Sequence, residues 1–228
     1  MTTVQDLITM IRNRTDMLDD QFITDTEIIA YINSSAGEMD DLLIQTFDDY
    51  KLKTADLTIS SGNSAPLPED YYKVRGVDII IDSVQPYSIR PFNFTERNRF
   101  ANTLFRGTTG PFNAKYRVQD GYLFIEPITA ASGTYTLWYT PIFTNFTLAT
   151  DNLPTYMDVQ SWSEYITLDC CIKVKIKLEL DPQAFMMLKE PMRQRILTMS
   201  HGRAQGEGKT VSAVRQETDD MNNWFGVR

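Results

Sequence analysis

One histidine, two adjacent cysteines and a few paired carboxylates are the residues whose types suit chemistry, and their spacing argues against it. His201 has no G-x-S-x-G serine to serve and no H-E-x-x-H around it, so neither a nucleophile–base pair nor a helical zinc site is spelled out. At the end of a periodic apolar stretch, its imidazolium suits a helix C-terminus. Cys170 and Cys171 form neither a disulfide framework nor a zinc spacing; they fall in an apolar helical row and read as small hydrophobes. Asp40/Asp41 and Asp48/Asp49 are helical neighbours whose side chains point apart, so they are not acid–base dyads. The acidic stretch from 16 to 27 lacks the glycine a calcium loop needs at its sixth position. Gly206-Glu207-Gly208-Lys209-Thr210 looks like the end of a phosphate-binding loop, but Arg203 stands where its first glycine belongs. It also follows a helix rather than a strand. The expectation is a protein that is not an enzyme, with no metal and no cofactor.

Two segments suit binding instead. Arg90, Arg97, Arg99 and Arg106 alternate with Phe92, Phe94, Phe100 and Phe105. Such a mixture serves single-stranded nucleic acid or a protein interface. With Lys plus Arg at 22 against 30 Asp plus Glu, a net charge of −8 favours the interface. The expected contact residues are Arg90, Phe92, Phe94, Arg97, Arg99 and Phe100; a nucleic-acid-binding regulator using 90–106 is the alternative. At the other end, Met221, Trp224 and Phe225 stand on a polar, glycine-punctuated tail. Large aromatics there suit an anchor inserted into a partner's pocket.

The elements that must position these residues fall into zones. In residues 1–54, Val4, Leu7, Ile8 and Ile11 keep a helical period, with Thr2 and Gln5 at capping-box spacing. A second capping box, Thr24 to Glu27, opens a second helix whose stripe is Ile28, Ile32, Ala36, Met39, Leu43 and Phe47. Residues 55–151 hold seven of the ten prolines and strand-like runs at Leu57–Ile59, Val77–Ile81, Tyr116–Val118, Tyr122–Ile125 and Tyr135–Tyr139. Asp120-Gly121 is a hairpin turn of type I′. Residues 82–114, with Pro86, Pro91, Gly107 and Gly110, read as a long irregular loop or short helix.

From Ser161 the rows Tyr165, Leu168, Ile172, Ile176 and Ile166, Cys170, Val174, Leu178 predict a third helix. Asp181-Pro182 starts a fourth, with Phe185, Leu188, Met192, Ile196 and Met199 as its stripe and Pro191 as a kink. The expected fold is α+β: a four-helix bundle of N- and C-terminal helix pairs, a β-rich antiparallel insertion and an extended C-terminal arm. Expected boundaries are 1–54 plus 152–204 for the bundle, 55–151 for the insertion and 205–228 for the arm.

Length and composition agree with a globular chain. The 228 residues are 42% hydrophobic and 23% charged, enough for one substantial core. No run approaches 18 apolar residues and no basic leader precedes Asp6, so the expectation is a soluble, non-secreted protein without membrane contact.

The opening, with Asp6-Leu7-Ile8, Arg12, Leu18-Asp19 and Phe22 through Glu27-Ile28-Ile29-Ala30-Tyr31-Ile32-Asn33, resembles the N-terminal helical pair of tailed-phage head–tail adaptor proteins. Leu67-Pro68-Glu69-Asp70-Tyr71 resembles the family's Leu-Pro-x-Asp-aromatic element. The resemblance implies a structural virion protein of the neck, assembled in the host cytoplasm. It implies a homo-oligomeric ring of about twelve copies beneath the portal protein. The C-terminal arm, with Met221, Trp224 and Phe225, would grip the portal. The β-rich part would meet a tail nozzle or tail-tube protein, and DNA would pass through the channel without specific binding.

Overall fold

A computed structural model describes residues 2–17, 22–46, 49–81, 85–96, 114–127, 131–159 and 161–203. Phe47, Leu18-Asp19, Arg97, Arg99, Phe100, Phe105, Arg106 and the expected arm with Met221, Trp224 and Phe225 lie outside these residues.

Helix α1 (Val4–Thr15) begins on a capping box one residue later than the sequence suggests. Asp6 N–H donates to Thr3 Oγ1 at 3.1 Å, and Thr3 N–H donates to Asp6 Oδ2 at 2.9 Å. Two adjacent threonines make the register ambiguous; Asp6, which accepts a bond better than Gln5, settles it. Helix α2 (Asp25–Thr46) starts at Thr24, whose hydroxyl accepts the Glu27 N–H at 3.3 Å. Glu27 does not reciprocate: its carboxylate takes Tyr31 Oη and Lys177 Nζ. Ile28, Ile32, Ala36, Met39 and Leu43 of the expected stripe are all buried.

Helix α3 (Ser163–Lys177) packs against α1, α2 and α4 (Gln183–Arg203), and residues 165–172 are buried throughout. Its run ends as helix rather than strand, turning at Glu179, whose φ is 57°. Asp181 accepts the Gln183 N–H at 2.9 Å at the start of α4. The stripe of α4 is narrower than expected. Ile196 is fully buried and Phe185 and Met192 partly so, whereas Leu188 and Met199 are exposed. This helix lies on the outside of the group and is covered along one line only.

Between the helix pairs run seven strands: β1 (Lys53–Ile59), β2 (Ser64–Pro66), β3 (Tyr71–Ile81), β4 (Gln85–Pro91), β5 (Lys115–Gln119), β6 (Tyr122–Glu126) and β7 (Gly133–Pro141). They form one sheet in the order β1-β7-β3-β4-β5-β6-β2. Strand β1 also approaches β2, so the sheet curls into a nearly closed, barrel-like form. Asp120 and Gly121 turn the β5–β6 hairpin with φ of 51° and 77°, as a type I′ turn requires.

The fold-class expectation is therefore corrected. The molecule is α+β, but it is four helices beside a seven-stranded barrel-like sheet, not a four-helix bundle with a β insertion. Nor is the β part purely antiparallel: β4 and β5 pair in parallel, Arg90 opposite Lys115 and Pro91 opposite Tyr116. Strand β4 lies where the sequence suggests an irregular loop; only Ile89 of its residues is buried, so it carries no alternating pattern.

The physical reason is a second core. Val77, Ile79, Ile89, Leu123, Ile125, Tyr135 and Leu137 point inside the curled sheet and form a cluster of their own. The helices enclose a separate cluster around Leu7, Ile8, Ile32, Met39, Trp162, Tyr165 and Ile166. The segment after β7 straps the helical part together. Asn33 donates to Phe146 O at 2.9 Å and accepts the Phe146 N–H at 2.7 Å. Further along the same segment, Asp151 O accepts the Val4 N–H and Asp158 holds Thr2.

Candidate functional site

Strand alternation decides what the outside of the sheet presents. On β5, Tyr116 points inward, which sends Lys115, Arg117 and Gln119 outward; on β6, inward Leu123 and Ile125 leave Tyr122, Phe124 and Glu126 outside. Arg117 and Phe124 are register partners. The guanidinium carbon of Arg117 lies 5.1 Å from the Phe124 ring centroid and 5.8 Å from that of Phe92. A cation between two aromatic faces is held in place by the ring quadrupoles. Glu126 stands 3.7 Å from the same guanidinium.

Of the expected contact residues, Arg90 and Phe92 belong to this face, and Phe94 follows them in a short 3-10 turn. Arg90 is exposed on β4, Phe92 is half-buried beside Arg117, and Phe94 is 69% exposed. Phe92 is fixed by its N–H, which donates to Tyr116 O at 2.7 Å. Asn93 orders the turn beyond, its side-chain oxygen accepting the Thr95 N–H and hydroxyl at 3.1 and 2.8 Å. Arg97, Arg99 and Phe100 fall outside the described residues. Lys115, Arg117, Tyr122 and Phe124 escape a reading confined to 90–106. The signal was available in the alternation of the Asp120-Gly121 hairpin, which puts every second residue on one side.

The same outer surface continues from β4 across β3, β7 and β1. Asp56 on β1, Thr136 on β7, Asp78 on β3 and Ser88 on β4 lie in one row across four strands. Thr136 donates to Asp56 at 2.8 Å, while Ser88 and the Trp138 indole N–H donate to Asp78 at 2.6 and 2.7 Å.

Inside the helical part the titratable groups are locked rather than poised. Asp169 accepts from Lys173 Nζ and Lys189 Nζ, both at 2.7 Å, and from Ser35 Oγ at 2.6 Å. Burial pushes its carboxyl up, but those three bonds together outweigh burial and hold it below the usual carboxylate range. Asp40 meets Lys51 Nζ at 2.5 Å and the Tyr156 hydroxyl at 3.0 Å; there burial wins and the carboxyl is raised. Burial pushes the Cys170 thiol up to about 12 and that of Cys171 up to about 11. Neither is a ready nucleophile at neutral pH.

Two further features lie on the surface. Helix α4 exposes Met186, Met187 and Leu188, Met187 by 75%. A cleft of about 340 Å³ is bounded by Lys51, Lys53, Pro141, Ile142, Phe143 and Tyr156 where the chain passes between the two cores. Among the described residues no helix is long and apolar enough to cross a membrane.

The comparisons with known proteins bear on nearly the whole described chain. A family model described as SU10 adaptor protein matches residues 2–199. No curated protein matches the sequence.

Proposed function

The chain belongs to the SU10 adaptor protein family, a family of structural phage proteins, and we propose that it is a head-to-tail adaptor. In this reading it forms a ring of about twelve copies under the portal, by head-to-tail contacts of the kind that close rings. The ring links the portal to a tail nozzle or tail-tube protein in the neck of a virion assembled in the host cytoplasm. DNA passes through its channel without specific binding, as an acidic lining favours. The match of residues 2–199 to the adaptor family is the observation that carries the reading. Residues 1–54 with 152–204 act as the helical platform, 55–151 as the part facing the next tail component and 205–228 as the arm.

The arm is the portal grip, with Met221, Trp224 and Phe225 as its anchors. Large aromatic side chains on a polar segment suit an anchor that fills a pocket on a partner. Arg90, Phe92, Phe94, Arg97, Arg99 and Phe100 serve contacts between subunits or with the tail. The test is deletion of residues 207–228. The shortened chain is expected to melt like the full one and to lose attachment to the portal ring in a pull-down with purified components. Normal portal binding by the folded, shortened chain would remove the arm from the reading.

A further inference from the structure

The cleft between the two cores is one lobe of a longer groove. Its volume is about 340 Å³ and its apolar walls are Leu52, Pro141, Pro154 and Tyr156. A second hollow of about 170 Å³ lies against Gly37, Asp41 and Tyr72. Ile142 and Phe143 line both, so they form the ridge that divides the lobes. Ile142 is 54% exposed and Tyr72 51%, which leaves apolar surface open to water. The cations beside the groove are already met, Lys51 by Asp40 and Lys53 by Asp70, and Asp41 adds a charge of the other sign. Shape and apolar area, rather than charge, select what fits here.

The direction of α4 brings the rest of the chain to this side of the molecule. Lys177 at the end of α3 pairs with Glu27 at the start of α2, and Lys189 of α4 pairs with Glu38. Helix α4 therefore runs along α2 in the same sense, toward Tyr50, whose ring meets Tyr156 of the cleft and Trp162 before α3. Arg203 lies about four turns beyond Lys189, whereas α2 ends about two turns beyond Glu38. Twenty residues then lead to Trp224, a tether of up to about 65 Å. Neighbouring side chains of an extended chain point to opposite sides, which suits an indole in the larger lobe and a phenyl ring in the smaller, astride Ile142 and Phe143. A tether within one chain keeps both rings at high effective concentration, so a subunit's own groove fills before that of another copy. We propose that Trp224 and Phe225 rest in this groove of their own subunit until a portal takes them. Ordering the tail offsets most of what burying two rings contributes, so the contact is readily given up. The inference rests on the arm reading above and gives the arm a resting place.

The test reads the fluorescence of Trp224 in the full-length chain, as the difference from the same chain carrying W224F, so that Trp138 and Trp162 cancel. The docked indole is expected to emit at shorter wavelength than N-acetyltryptophanamide and to resist acrylamide, equally at every protein concentration. I142D puts a charge on the ridge while the backbone keeps its bond to Asp70. It is expected to abolish both effects and to tighten binding to purified portal at least about threefold, because more arms are free to engage. Melting curves establish that I142D is folded; if it melts early, Y72S in the smaller lobe replaces it. Trp224 that is quenched like the free indole, or that ignores the substitution, overturns the inference. Shielding that appears only as concentration rises assigns the groove to the arm of a second copy and overturns it too. Where deletion of residues 207–228 abolishes portal binding but I142D leaves it unchanged or weakens it, the inference fails and the arm reading stands. Where the shortened chain holds the portal normally, the arm reading fails and the fluorescence alone decides the docking.

Discussion

Asp169 is surrounded by more cations than any single carboxylate needs, and that is what makes it structurally expensive to replace. Lys173 and Lys189 both point at it, Ser35 donates to it, and Lys189 goes on to Glu38, which also accepts the Tyr165 hydroxyl. Asp169→Asn keeps the shape but leaves the Lys173 ammonium without its carboxylate and Lys189 with Glu38 alone, so unfolding should become easier by about 3 kcal/mol, read from the urea midpoint. The sign with pH follows from the lowered carboxyl. Its stabilisation is whole above the ordinary aspartate value of 3.8 and is lost as pH falls through the lower folded value. The gap between wild type and Asp169→Asn should therefore narrow below about pH 4. The neighbouring thiols give a second expectation. With both pushed far above neutrality and buried, Cys170 and Cys171 should react with iodoacetamide at pH 8 only as fast as the chain unfolds. Prompt labelling of the native protein would contradict the packing of α3.

Among the elements, the β5–β6 hairpin separates backbone strain from steric space. A Cβ at Gly121 would meet nothing within 4 Å, yet φ is 77°, so Gly121→Ala should cost about 1 kcal/mol through the backbone alone. A Cβ at Gly76 would be equally uncrowded and the residue lies in β3 at an ordinary φ, so Gly76→Ala should leave the melting temperature unchanged or raise it slightly. Helices α1, α2 and α3 were legible because Leu7, Ile8, Ile11 and Ile28, Ile32, Ala36 keep a 3.6 period and all find cover. Strand β4 was not: Pro86 and Pro91 read as breakers, and a strand burying only Ile89 has no alternation to detect. Its parallel pairing with β5 joins Arg90 to Lys115, residues too far apart for any local pattern to announce. Leu188 and Met199 misled for the opposite reason, since a periodic apolar row says nothing about how much of it a neighbour covers.

For the whole molecule, the difference between expectation and structure is a matter of how many cores there are. Composition shifts marked residues 55–151 as β-rich, but a composition cannot say that a sheet curls back on itself and keeps Leu123, Leu137 and Tyr135 to itself. The arginine and aromatic face was legible in part for the same reason: Arg90 and Phe92 stand out in sequence, whereas Arg117 and Phe124 join them only once the sheet is formed. Asp70, in the Leu67–Tyr71 motif, belongs to the passage between the cores. It accepts from Lys53 Nζ and the Tyr139 hydroxyl, both at 2.8 Å, and its backbone oxygen accepts the Ile142 N–H at 2.7 Å. Asp70→Ala should speed amide exchange around 53–55 and 139–142 at least about tenfold while leaving α1–α3 unchanged. Equal acceleration in the helices would mean that the two cores open together.

The clasp at Asp70 gathers the outgoing and returning chain at a single place, because Lys53, which starts the sheet, pairs with Tyr139 near its end. Two backbones running side by side resist torsion far better than one, while still permitting a rocking movement across their common line. A load applied to the barrel therefore reaches the helices across this passage, where Arg75 of β3 is also paired with Asp49 at 2.6 Å, as tilt more readily than as twist.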